Sequence, residues 1–142
     1  MVPMPNHTTV NNVSLKKLLK DNKIKKEVLD SIIERTRKGG AEIIKLLEKG
    51  SAFYAPAASG IEMAESYIKN LRKTLPCAAY LNGEYGVKKL YAGVPVVLGN
   101  KGVEKVIELS LNENEKINFD LSIKAVTELF DAAIKIDPDL KK

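Results

Sequence analysis

The chain has 142 residues, of which 44% are hydrophobic and 29% charged, and a formal net charge of +5. That length suits one domain with a real core, and the composition excludes a disordered chain. Cys77 is the only cysteine, which excludes an internal disulfide and a multi-cysteine metal site and reads as a small buried apolar residue.

In chain order, residues 1–13 hold two prolines and several Asn and Thr without helical period, and predict a loop or extended arm. Ser14 is placed to cap a short helix through Leu15, Leu18 and Leu19, which Asp21-Asn22 interrupts. From Ile24 to Leu47 the apolar positions recur at three- and four-residue spacing through Val28, Ile32, Ile43 and Ile44, the pattern of a long amphipathic helix. Gly39-Gly40 inside it costs about 1 kcal/mol per glycine relative to alanine, so a kink or a close approach of another backbone is expected there. Gly50 then ends the helix.

A second helix fits residues 55–73, with Ile61, Ala64, Ile68 and Leu71 on one face and Pro76 as its stop. The period then changes. Residues 77–81, 89–98 and 103–109 are runs of β-type residues separated by Asn82-Gly83 and Asn100-Lys101-Gly102, so three antiparallel strands are expected. Asn112 with Glu115 three positions on forms a capping box, which opens a last helix of some twenty residues. Ile117, Leu121, Ala125, Leu129 and Ala133 are expected to face inward from it. Helices, then a strand cluster, then a helix argue for an α+β fold. No glycine-rich loop joins a strand to a helix, so the chain carries no dinucleotide or phosphate-loop fingerprint.

The 23 Lys/Arg are interleaved with 18 Asp/Glu. Their densest run, Lys16-Lys17 to Lys25-Lys26, reads as the wet side of an amphipathic stretch. Neither a nucleic-acid nor a membrane partner is expected. No apolar run spans a bilayer and no charged leader precedes an apolar core, which points to the cytoplasm.

Chemistry is sparse. His7, the one histidine, lies in a loop without a neighbouring carboxylate, and Ser59 lacks the glycine-flanked elbow of a hydrolase. Glu62, Glu65 and Glu84 are carboxylates whose spacing does not demand a pair. No metal site is read from the sequence. One stretch is unusual: Pro56 falls where a helix begins, amid Ser51, Ala52, Ala55, Ala57 and Ala58. Proline suits a first helical turn, and small residues at a helix start leave room for a small carboxylate ligand or for close helix packing.

The segments "ERTRKGGAEIIKLLEKGSAFYAPAAS" (34–59), "CAAYLNGEYGVKKLYAGVPVVLG" (77–99) and "GVEKVIELSLNENEKINFDLSIKAV" (102–126) closely resemble the C-terminal half of NAD-dependent malate dehydrogenases of the bacterial, lactate-dehydrogenase-like type. The resemblance runs from about Ile24 to the end. It implies an α+β, lactate/malate dehydrogenase C-terminal domain-like fold, with long helices packed on a small antiparallel sheet and residues 1–142 as the substrate-binding domain. Family members carry a His-Gly-Asp motif with the catalytic histidine, followed by Met-Val-Pro, and this chain opens "MVPMP". The resemblance therefore implies that the catalytic histidine, the nucleotide-binding half and the arginines that grip the substrate lie outside these residues, and His7 does not fill the vacancy. It departs from the family at Asn6–Thr9, where relatives read Arg-Tyr-Ser-Thr, and at Asn11–Ser14, where they carry a Gly-Ile-Pro-type turn.

Carried over, the resemblance places Ala52 beside the substrate, Ser51 in the same turn and within reach of the substrate or its water, and Pro56 against the nicotinamide ring. The expected activity of the complete enzyme is malate plus NAD to oxaloacetate plus NADH. These residues alone are expected to be inactive, to bind NAD weakly or not at all, and to form a homo-oligomer. The other readings are an L-lactate dehydrogenase C-terminal domain, a non-catalytic complementing or oligomerisation fragment, an unrelated α+β binding module and, more distantly, a glycosidase of the same fold.

Overall fold

The computed structural model describes residues 2–141. By its internal contacts the chain separates into two units, one up to Tyr54 and one from Ala55 onward.

In the first unit, β1 (Thr9–Val10) and β2 (Val13–Ser14) pair antiparallel, Val10 opposite Val13. The expected arm therefore contains a hairpin. Its two-residue turn is Asn11-Asn12, with φ of 49° and 64°. A turn with two positive φ values matches strand twist, and asparagine tolerates that region better than most residues. Ser14 caps α1 (Leu15–Lys20) as expected, its Oγ accepting from the Lys17 amide at 3.2 Å. α2 (Lys26–Leu47) runs without a break through Gly39-Gly40. No heavy atom outside the helix's own backbone would lie within 4 Å of a Cβ on either glycine. The expected kink is absent, and among the described residues nothing approaches either glycine. The helix stops at Leu47, earlier than Gly50 suggested, because Glu48 already turns to φ 57°.

α3 (Tyr54–Ile68) is shorter than the expected 55–73. Asn70 takes φ 49°, its amide donates to Tyr67 O, and the Leu71 amide donates to Ser66 O at 2.9 Å. This pair of crossed bonds around a left-handed residue closes the helix before Pro76 is reached. Pro76 instead lies inside β3 (Lys73–Asn82), opposite Pro95 of β4 (Lys88–Gly99). The Pro95 carbonyl accepts from Ile107 on its other side. The two prolines therefore occupy a position where β3 and β4 exchange no hydrogen bonds, and β3 is an edge strand, so no ladder donor is missed.

β5 (Gly102–Val106) completes the sheet in the order β3-β4-β5, all antiparallel. Alternate residues point into one face: Cys77, Ala79 and Leu81 from β3, and Ala92, Val94, Val96 and Leu98 from β4. α4 (Glu113–Ile136) covers that face with Phe119. Its capping box is present as expected. Asn112 Oδ1 accepts from the Glu115 amide at 2.9 Å, and Glu115 Oε2 accepts from the Asn112 amide at 3.0 Å. The face of α4 is not the expected one. Ile117, Leu121 and Leu129 are exposed, while Phe119 is buried and Ile123 packs beside it. Likewise Ile61, Ile68 and Leu71, grouped on one face by the sequence, are exposed. α3 is anchored by polar atoms instead. The fully buried Ser66 hydroxyl donates to Leu98 O at 2.7 Å and accepts from the Lys73 amide at 3.2 Å.

Candidate functional site

Residues 48–56 are where sequence and backbone combine most unusually. After α2 the chain passes through Glu48 at φ 57° and Gly50 at φ 102°, the second in a region that a side chain would strain. Ser51 follows, exposed, and its carbonyl accepts from the Phe53 amide at 2.8 Å. Ala52 is half-buried. The Phe53 and Tyr54 rings lie 4.9 Å apart, tilted against each other. Ser51 and Ala52 thus sit in one turn of the first unit. Pro56 belongs to the second, as the third residue of α3, and is exposed. In that first turn its missing N–H leaves no helical bond unmade. Ala55, Ala57 and Ala58 flank it, so this helix start presents methyl and pyrrolidine carbon. A planar ring can lie against such a surface.

The carboxylates and the thiol singled out by the sequence have structural surroundings. Lys73 Nζ lies 3.3 Å from Glu62 and 3.8 Å from Glu65, and Lys69 lies 2.6 Å from Glu65. Hydrogen bonding to Lys69, with the charges of Lys69 and Lys73, holds the Glu65 carboxyl below its usual range. Glu84 accepts from the Asn82 amide at 2.7 Å, and that bond lowers its value too. These carboxylates are committed to cations and backbone rather than to a shared proton. The Cys77 thiol is buried and pushed up by burial, the reverse of an activated nucleophile. His7 lies in a 3-10 turn, Pro5–His7. Among the described residues, no three His, Cys, Asp or Glu gather as metal ligands.

The turn at Ser51 and Ala52 and the helix start at Pro56 carry no histidine, carboxylate, lysine or arginine, and their hydroxyls are those of Ser51 and Tyr54. Residues 1–135 match the family described as lactate/malate dehydrogenase, alpha/beta C-terminal domain. The chain belongs to this family. It is 59% identical over all 142 residues to a malate dehydrogenase from Pelagibacter ubique, of which it spans 44%. The crystal structure of a lactate dehydrogenase from Eimeria maxima with NADH and oxamate superimposes with a TM-score of 0.91 at 39% identity, over 96% of this chain and 42% of that one. A malate dehydrogenase from Cryptosporidium parvum gives 0.86 at 40% identity, over 89% and 40%. The chain thus spans less than half the length of each of these relatives. The expected α+β architecture and the expected C-terminal dehydrogenase domain are both found.

One structural residue escaped the sequence reading. Tyr85, at φ 55°, donates its phenol to Ile107 O at 2.7 Å and accepts from the Leu109 amide at 2.9 Å, with its ring 4.9 Å from Phe119. It ties the β3–β4 connection to the segment leading into α4. An aromatic between glycines, Gly83-Glu84-Tyr85-Gly86, was the available signal.

Proposed function

We propose that these residues form the substrate side of an NAD-dependent L-malate dehydrogenase, in which malate is oxidised to oxaloacetate. The observation that carries this reading is the 59% identity, over the whole chain, to a malate dehydrogenase. In this reading Ala52 lies beside the substrate, Ser51 contacts the substrate or its water, and the exposed apolar surface at Pro56 lies against the nicotinamide. NAD supplies the hydride acceptor when bound. The chain's own part is to keep that face dry and close-fitting, which favours hydride transfer over side reactions. In this reading the proton-transferring histidine and the carboxylate-binding arginines lie outside these residues, as does the nucleotide-binding half.

The purified 142-residue chain should therefore form no NADH from malate and NAD. Mixed with a nucleotide-binding half of such an enzyme, it should restore malate-dependent absorbance of NADH. Turnover by the chain alone would refute the division of labour, and failure of every tested partner to restore activity would count against the reading itself. In the restored enzyme Pro56→Asp should lower kcat/KM while leaving stability nearly unchanged, since the residue is exposed.

L-Lactate is the second substrate reading, and the close superposition on a lactate dehydrogenase is what favours it. Assaying both acids on the restored enzyme separates the two. Self-association belongs to the same proposal. Val28, Ile32, Ile43 and Leu47 of α2 are all exposed, a stripe that a second chain would cover in a homo-oligomer.

A further inference from the structure

The charge of this chain is not spread evenly. Residues 15–26 hold six of the 23 Lys/Arg and one of the 18 Asp/Glu, leaving 17 of each sign elsewhere. The entire net charge of +5 therefore resides in twelve residues, α1, the turn that follows it and the first residue of α2. All six lysines are exposed. Lys26 is held by Asp30 at 2.8 Å. Among the described residues, no carboxylate lies within ion-pair distance of Lys16, Lys17, Lys20, Lys23 or Lys25.

The apolar residues of the same segment are turned inward. Leu15 is buried, and Leu18, Leu19 and Ile24 are half-buried. The outward surface is thus lysine almost alone, and this narrows the partner. A protein interface needs a desolvated apolar centre and is depleted in lysine. This segment contributes no exposed large hydrophobic residue. Sequence-reading or base-stacking contact with nucleic acid draws on arginine and aromatics, or on a helix long enough to lie in a groove. The segment has no Arg, Phe, Tyr or Trp, and α1 is 6 residues long. A bilayer surface asks for none of these. Its anionic headgroups are mobile and gather beneath flexible, hydrated ammonium groups, each of which adds to the attraction without fixed register.

We propose that residues 15–26 are a docking surface for an anionic lipid membrane, held by electrostatics without insertion of side chains. No helix among the described residues is long and apolar enough to cross a membrane, and surface docking does not require one. The proposal is independent of the substrate reading, because it concerns a separate segment and can be tested without turnover.

The test is co-sedimentation of the 142-residue chain with vesicles of phosphatidylcholine containing roughly 30% phosphatidylserine, against phosphatidylcholine alone, at low and high salt. Binding is expected only to the anionic vesicles, with release near 1 M salt, where the Debye length is about 3 Å. Neutralising Lys16, Lys20 and Lys23 to Gln should weaken partitioning about a hundredfold, near fivefold for each lysine. Neutralising the exposed Lys88, Lys101 and Lys135 removes the same charge elsewhere and should leave it within a few-fold. Circular dichroism of both variants controls for folding, and the single variants Lys20→Gln and Lys23→Gln give the effect per residue if a triple variant unfolds. Absence of binding, equal losses in the two triple variants, binding to neutral vesicles, or tighter binding to a duplex oligonucleotide than to the anionic vesicles would each overturn the proposal.

Discussion

β4 and α2 are both long elements rich in branched aliphatic residues, and they end in different states. In β4 alternate side chains from Ala92 to Leu98 are buried, and Val96 has no exposed surface. In the 22 residues of α2 only Leu29 is buried, while Val28, Ile32, Ile43 and Leu47 stay in contact with solvent. A strand acquires neighbours by pairing, and the sheet then presents one apolar face that a single helix can cover. An amphipathic helix satisfies its backbone alone but needs another surface to bury its stripe. The sheet buries its apolar face, whereas the apolar stripe of α2 stays exposed.

The largest test of that contrast is truncation in the sheet core. Leu81→Ala removes a side chain with no solvent exposure and should destabilise the chain by about 2–5 kcal/mol in urea unfolding. Ile32→Ala on α2, already half-exposed, should cost under about 1 kcal/mol in dilute solution. Equal losses would show that α2 is packed as tightly as the sheet. Next in size is Ser66→Ala, which leaves the Leu98 carbonyl and the Lys73 amide without their partner. A loss of about 1–3 kcal/mol is expected. A neutral result would mean that α3 is not anchored through its hydroxyl.

The sequence showed the elements better than their faces. Asn112 and Glu115 announced the start of α4 because capping is a local exchange of two hydrogen bonds, complete within four residues. The extent of α3 was misjudged because Pro76 is a conspicuous stop, whereas the helix closes at Asn70 through a left-handed residue that asparagine enters with little cost. α4 carries apolar side chains on two stripes, one through Ile117 and Leu121 and one through Phe119 and Ile123. The sequence singled out only the first, and the sheet covers the second. Pro56 at a helix start was legible from proline's fixed φ, but the turn at Ser51 and Ala52 has no chemical signature, and its meaning came from family resemblance alone.

Smaller effects address the helix itself. Gly39→Ala and Gly40→Ala should each stabilise α2 by about 1 kcal/mol, since no atom of the described residues lies where the new methyl group would go. In sedimentation the same substitutions should weaken self-association, because a helix crossing close to the glycines would meet the added methyl groups. Unchanged association would place the contact between copies elsewhere on the surface.

The smallest effects are in pH dependence, and they oppose one another between the two regions. Burial pushes the Cys77 thiol of β3 above its ordinary value. The unfolded chain ionises near pH 8.5, while the folded chain resists. The stability associated with the neutral thiol is therefore complete below about pH 8.5 and is lost as pH rises through the folded value. On α2 the signs reverse. Hydrogen bonds from Lys38 and Arg35 hold Glu34 and Glu42 below the usual carboxylate range. Their contribution is present above the unfolded value, about 4.3, and disappears as pH falls through the lowered one. Because these pairs are exposed the contribution is small and screened by salt. Urea unfolding across both windows should show Cys77→Ala flattening only the alkaline slope, and Glu34→Gln with Glu42→Gln flattening only the acid one. If Cys77→Ala leaves the alkaline slope unchanged, the thiol is not buried in the folded chain, and the contrast between a closed sheet core and an open helix face fails at its centre.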